Sequence, residues 1–143
     1  MSIVYFDSSA LVKLVLDEPG SDLAAELWNR CDAALSSRLA YPEVRAALAA
    51  AGRSHVLTES EALEAATEWD LFWASIRPVE LTAEVEQQSG DLASVHRLRG
   101  ADAVHLASAV ALVQADLIVA VWDRRLHAGV VAVGLSVAPA TLD

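Results

Sequence analysis

The chain has 143 residues, 55% of them hydrophobic and 21% charged, which is one domain's worth of chain with a sizeable core and not the composition of a disordered segment. Its net charge of −10, from 10 basic and 20 acidic residues, excludes a protein that coats nucleic acid non-specifically, because such binding rests on basic surface. It leaves room for an enzyme that grips a nucleic acid at one site. The longest apolar run, Ala101–Ala115, is interrupted by Asp102, His105, Ser108 and Gln114 and is too short to span a bilayer. The lone cysteine, Cys31, excludes an internal disulfide, and the amino-terminal run carries no basic leader, so a reducing, cytoplasmic setting is expected.

In chain order, Ile3–Phe6 is an unbroken β-branched and aromatic run, as expected of a buried strand in a parallel sheet. Asp7 follows at its carboxyl end, where α/β proteins gather their functional groups; it is either a turn or cap aspartate or a ligand. Ser8 or Ser9 is expected to cap a helix over Ala10–Leu16, and Ser21 or Asp22 a second one reaching about Arg30. Residues 33–36 form a weak strand. A third helix is predicted over Arg38–Ala51, stopped by Gly52, with Pro42 tolerable near its start. Three-and-four spacing puts Glu43 on the side of Ala46, Ala47 and Ala50, an alanine-lined face. There Glu43 is a partnered ion, with Arg45 or Arg38, a ligand, or a solvated edge.

Thr58-Glu59-Ser60-Glu61 is a capping box, opening a helix to about Ala74. Ala62, Ala66, Trp69 and Trp73 make its stripe, most simply core and otherwise a seam for a partner helix. A strand is expected over 77–81, then a helix capped by Thr82 and running to about Leu98. Gly100 breaks it, and an apolar helix follows with Asp102 at its head. Residues 117–121 read as another buried strand, with Trp122-Asp123 at its carboxyl end, and 130–137 as a final strand or two. Strands alternating with helices specify a layered α/β fold with a mostly parallel sheet, in one domain spanning 1–143.

Asp7, Glu43, Asp102 and Asp123 are the candidate site. Four carboxylates in one cleft raise each other's pKa and stay ionised together only beside a cation. Hard oxygen ligands suit Mg²⁺ or Mn²⁺, which bind phosphate oxygens, and that combination points to phosphodiester hydrolysis. Ser9 could support a ligand carboxylate, although helix capping explains it equally. Arg99, Arg124 and Arg125 flank the acids as candidate phosphate contacts or plain solvated surface. His105, one turn beyond Asp102, reads as a core histidine with one hydrogen bond. Templates with a phosphate-binding glycine loop, a serine nucleophile elbow, paired cysteines or an H-E-x-x-H zinc helix are absent.

The stretches YFDSSALVKLVLDEPGS, AYPEVRAAL, RGADAVHLASA and VWDRRL, in this order over nearly the whole chain, resemble the motifs of PIN-domain ribonucleases, in particular the toxin halves of VapBC toxin–antitoxin pairs. The resemblance implies a three-layer α/β/α sandwich of the flap-endonuclease type and Mg²⁺- or Mn²⁺-dependent endonucleolytic cleavage of RNA. It implies that Asp7, Glu43, Asp102 and Asp123 bind the metal, that the protein is a homodimer, and that a cognate antitoxin inhibits it. One position departs: Val121 stands where similar toxins often carry threonine or serine, removing a hydroxyl from the site's edge. The rival readings are a PIN-fold binding module with weak or no turnover and a DNA-directed nuclease of the same fold.

Overall fold

The computed structural model describes residues 2–112 and 116–143. Residues 113–115, the end of the apolar run expected in the core, lie outside that description. Five strands form one all-parallel sheet in the order β3-β2-β1-β4-β5, with β1 Ile3–Phe6, β2 Ala33–Ser37, β3 Ile76–Val79, β4 Leu117–Ala120 and β5 Ser136–Ala138. In the central strands, Ile3 pairs with Ala33 on one side and with Leu117 on the other. Seven helices are described: α1 Ser8–Val15, α2 Ser21–Arg30, α3 Ala40–Arg53, α4 Glu59–Ala74, α5 Ala83–His96, α6 Gly100–Val110 and α7 Arg124–Ala132.

The strand period of two divides the core in two. Ile3 and Tyr5 of β1 face a cluster with Leu98, Leu106, Val119, Leu126 and Val130, covered by α5, α6 and α7. Val4 and Phe6 face Ala10, Leu11, Val44, Leu48 and Trp69, covered by the helices of the first half of the chain. The result is the α/β/α sandwich, with β1 buried on both faces as its continuous apolar run requires.

Several boundaries differ from the sequence reading, each for a physical reason. Val130–Val133 is not a strand. Asp123 caps α7, and Leu126 and Val130, four residues apart, both turn into the core, so the helical period wins and only Ser136–Ala138 is extended. Gly52 does not end α3, which reaches Arg53 before His55 takes a left-handed conformation. A Cβ on Gly52 would lie 3.3 Å from that of Ala62, so this glycine allows close approach of α4. The alanine face expected beside Glu43 is not packed: Ala46 and Ala50 are exposed, and α3 buries Ala40, Val44, Leu48 and Ala51 instead. Asp7 itself caps α1, in place of Ser8 or Ser9, and α2 starts from Gly20 with no side-chain cap. Of the expected α4 stripe, Trp69 is fully buried and Trp73 packs partly against the core, but Ala62 and Ala66 are half-buried beside an open cleft and Ala65 takes the core position instead. No helix among the described residues is long and apolar enough to cross a membrane.

Candidate functional site

All four acids stand at the amino ends of helices. Asp7 caps α1 and Asp123 caps α7, while Glu43 and Asp102 lie in the first turns of α3 and α6. The amino end of a helix presents unpaired N–H groups and a positive dipole end, which favours carboxylates there. Pro42 precedes Glu43 in that first turn, where no N–H is needed and proline costs nothing.

Asp7 and Asp123 are held in the same way, by their own chain. The Asp7 N–H donates to the Ala120 carbonyl at 3.2 Å, tying the ends of β1 and β4 together. Asp7 Oδ1 accepts the Ala10 N–H at 2.9 Å and the Ser9 hydroxyl at 2.6 Å. Asp123 Oδ1 accepts the Leu126 N–H at 2.9 Å. Ser9 links the two: its oxygen also accepts the N–H of Trp122, at 2.9 Å. Val121 is fully buried in the α5–α7 cluster and packs as a core residue. Trp122 is braced from outside. The Lys13 ammonium lies 5.3 Å from its ring centroid while donating to Glu18 at 3.0 Å and to the Pro19 carbonyl at 2.7 Å. Gly20 (φ 97°) lies so close that a Cβ would sit 2.7 Å from the indole nitrogen.

Glu43 is held differently, by side chains remote in sequence. The expected partners are engaged elsewhere: Arg38 is ion-paired with Glu80, and Arg45 donates to the Tyr41 hydroxyl at 3.0 Å. Glu43 Oε1 meets His105 Nε2 at 2.6 Å instead. His105 Nδ1 in turn meets the Tyr5 hydroxyl at 2.7 Å, and that hydroxyl accepts the Ser37 N–H at 3.1 Å. The Glu43 carboxylate can only accept, so the Nε2 N–H of His105 donates to it. Tyr5 and His105 are essentially inaccessible to water, and burial holds the tyrosine hydroxyl above its ordinary range and protonated. His105 thus makes two hydrogen bonds where the sequence suggested one. The missed members are Tyr5 and Ser37. The only signal for Tyr5 was a polar group inside an otherwise apolar strand, and none marked Ser37.

Electrostatics links the acids into one group. Burial pushes the Asp7 carboxyl up to about 6; the His105 ring, the Ser9 hydroxyl and the Ala10 N–H oppose the rise, and the Asp123 charge adds to it. Asp102 is raised by burial and then by Asp123, with Glu43 adding to the rise and Arg99 and His105 opposing it. Among the described residues, the guanidinium paired with these acids is that of Arg99, 74% exposed, with Nε 3.9 Å from Asp102 Oδ2. Arg124 is turned to the carbonyl of Asp143, and Arg125 lines a separate cleft. Among the described residues no three acidic, histidine or cysteine side chains are disposed to enclose a metal ion by themselves. The donor set is nonetheless all hard oxygen, with more negative charge than Arg99 and His105 balance. A dication that keeps part of its water shell fits such a set.

These features define a class: a parallel α/β/α sandwich with a carboxylate centre at helix amino ends. The family model described as PIN domain matches residues 4–128. Two proteins from two strains of Mycobacterium tuberculosis, named Ribonuclease VapC45 and Ribonuclease VapC49, are each 67% identical to the chain over 143 residues, covering 100% of it and 99% of their own length. Among solved structures, a toxin-antitoxin complex from Klebsiella pneumoniae matches with a TM-score of 0.68 at 17% identity, covering 98% of this chain and 99% of that one, and shares the fold. The chain belongs to the PIN-domain family, among its VapC-type members.

Proposed function

We propose that the protein is a metal-dependent endoribonuclease acting as the toxin of a toxin–antitoxin pair, with Asp7, Asp102 and Asp123 holding Mg²⁺ or Mn²⁺ and Glu43 completing the set. The observation that carries this reading is the under-compensated carboxylate group at the ends of β1 and β4, with a buried Asp7 raised to about 6. A metal-free protein strains to keep that group ionised, and a dication relieves it. The names of the full-length relatives support RNA as substrate.

When bound, the ion supplies Lewis-acid polarisation of a phosphate oxygen and a water of lowered pKa. The chain's own residues supply the positions. Asp7 and Asp123 each commit Oδ1 to backbone N–H groups, which fixes the carboxylate planes and leaves Oδ2 for the site. Ser9 clamps Asp7 to the backbone of Trp122 and so sets the spacing between the two strand ends. The Tyr5–His105 pair fixes Glu43 in one rotamer. Both His105 nitrogens are occupied, so it orients and does not exchange protons with substrate. The shell around the ligands carries as much of the design as the ligands.

The test is cleavage of matched single-stranded RNA and DNA in Mg²⁺ or Mn²⁺ by the wild type and by Asp7→Asn. Undiminished RNA cleavage by the variant overturns the site. DNA cleavage equal to RNA cleavage moves the substrate to the DNA-directed alternative. The second reading, a binding module that does not turn over, draws on the lack of a self-sufficient ligand cage among the described residues. Calorimetric titration separates the two, since absence of Mn²⁺ binding at millimolar concentration favours the module. The partner we propose is a small cognate antitoxin in the cytoplasm, with the toxin as a homodimer; the toxin-antitoxin complex of the same fold supports the pairing. Co-expression with the product of an adjacent small reading frame and sedimentation of the complex test both.

A further inference from the structure

The carboxyl end of α5 and the outer face of α7 enclose an open cleft of about 530 Å³. It is lined by His96, Arg97, Arg125, Ala128, Gly129 and Ala132. In a chain of net charge −10 this lining holds two guanidinium groups and an imidazole and no carboxylate. Neither Arg97 nor Arg125 has an ion-pair partner among the described residues, whereas Arg30, Arg38 and Arg99 do.

The cleft is built into the fold. Arg125, Ala128, Gly129 and Ala132 recur at three-and-four spacing, so they form one face of α7. The small residues keep the floor low; Gly129 is buried, and a Cβ there would make ordinary contact with Leu106 and Leu98, 3.4 Å and 3.5 Å from their methyl groups. Arg97 occupies the α5 C-cap in a left-handed conformation (φ 55°), which ends the helix at the cleft. The floor is apolar and shallow, the rim cationic, and Arg125 lies two residues beyond Asp123 on the helix which that acid caps. A single-stranded phosphodiester backbone has matching chemistry: regularly spaced anions with apolar sugar faces between them.

We propose that this cleft binds the phosphodiester backbone of the substrate next to the cut, with Arg97 and Arg125 each neutralising one phosphate and His96 supplying a hydrogen-bond donor. The inference rests on the nucleic-acid substrate proposed above and adds where the strand runs: from the acid group outward along α7. It assigns the holding of the flanking strand to Arg97 and Arg125, and not to Arg124, whose guanidinium is turned to Asp143.

The experiment uses full-length protein in the Asp7→Asn background, so that binding is read without cleavage and stands apart from failure of the catalytic assignment. Fluorescent single-stranded RNA and DNA of one sequence are titrated at several salt concentrations. Arg97→Gln/Arg125→Gln is compared with the charge-matched control Arg30→Gln/Arg53→Gln, which removes two guanidinium groups elsewhere. Loss of roughly tenfold in affinity in the cleft variant, with a salt slope shallower by about 0.7 per lost contact, supports the site. The control should keep both the affinity and the slope. Equal loss in both variants means that net charge alone is read and overturns the proposal. So does unchanged RNA affinity combined with a changed sedimentation coefficient, which makes the cleft a contact between two copies of the chain. A loss confined to RNA, or shared by RNA and DNA, identifies which backbone the cleft accepts.

Discussion

Asp7 and Glu43 belong to one group of acids, but the chain holds them by opposite means. Asp7 is fixed by its neighbours: Ser9 and Ala10 both reach its Oδ1, and Phe6 before it is locked in the sheet. Glu43 is fixed across the fold, by a histidine 62 residues away that is held by a tyrosine 100 residues from it. A local clamp survives small rearrangements of the core. A remote one transmits them, because moving α6 against β1 turns the His105 ring and with it the Glu43 carboxylate. The first half of the site is therefore expected to resist distant mutation and the second half to report it.

The largest effect should come at the local end. Asp7→Asn keeps both donors satisfied through its amide oxygen but removes the buried charge. RNA cleavage is expected to fall by more than about 100-fold. The metal-free protein should become more stable, by roughly 1–3 kcal/mol, because a carboxyl raised to about 6 opposes folding when ionised. Loss of activity together with a higher Tm breaks any account in which Asp7 is only a helix cap.

Tyr5→Phe acts on the remote clamp without touching an acid. It leaves the Ser37 N–H and His105 Nδ1 without their partner, at a cost of about 1–3 kcal/mol. Mn²⁺ affinity should weaken about 10-fold, read by calorimetry, with the ligands intact. Unchanged affinity at reduced stability would make the relay scaffolding alone. Ser9→Ala sits between the two cases: it removes one donor from Asp7 and the acceptor of the Trp122 N–H, with a loss of about 1–2 kcal/mol in denaturant unfolding and a smaller fall in Mn²⁺ affinity than for Tyr5→Phe. The reverse order would put the strand-end clamp above the relay.

The gentlest test is pH. The folded carboxyl of Asp7 holds its proton to about 6, whereas in the unfolded chain it takes the ordinary aspartate value of 3.8. Between those values the native state binds more protons, so the stability of the metal-free protein falls as pH rises from about 4 to about 6 and then levels off. In Asp7→Asn that slope should flatten. A slope that persists unchanged locates the titrating group elsewhere, with Asp102, also raised, the next to replace.

The same contrast explains what could be read from the sequence. Most of the strands, the layered α/β class and the two strand-end aspartates follow from short-range rules: apolar runs, strand period and acids at helix starts; the three-layer order came from the family resemblance. Asp102 was legible for the same reason. The setting of Glu43 was not. Counting along α3 put it on an alanine face, whereas α3 turns Val44 and Leu48 inward and leaves Ala46 and Ala50 in solvent. Its true partner follows from how α6 packs over β1, which no local window contains. The last strand was overextended because three of the four residues in Val130–Val133 are β-branched, and only the cap at Asp123 and the core contacts of Leu126 and Val130 reveal a helix. The facing of Arg97 and His96 toward α7 was not legible, since nothing in the sequence set them opposite that helix.

Lys13 is the only lysine of the chain, and its side chain is 11% exposed, closed in by Glu18, the Pro19 carbonyl and the Trp122 ring. The folded protein thus carries a single side-chain amine, hidden against the Trp122 ring. An amine-directed reagent can reach it only when the turn between α1 and α2 lifts from Trp122. The rate of that one modification is a built-in clock for opening at the edge of the carboxylate group, and it needs no engineered label.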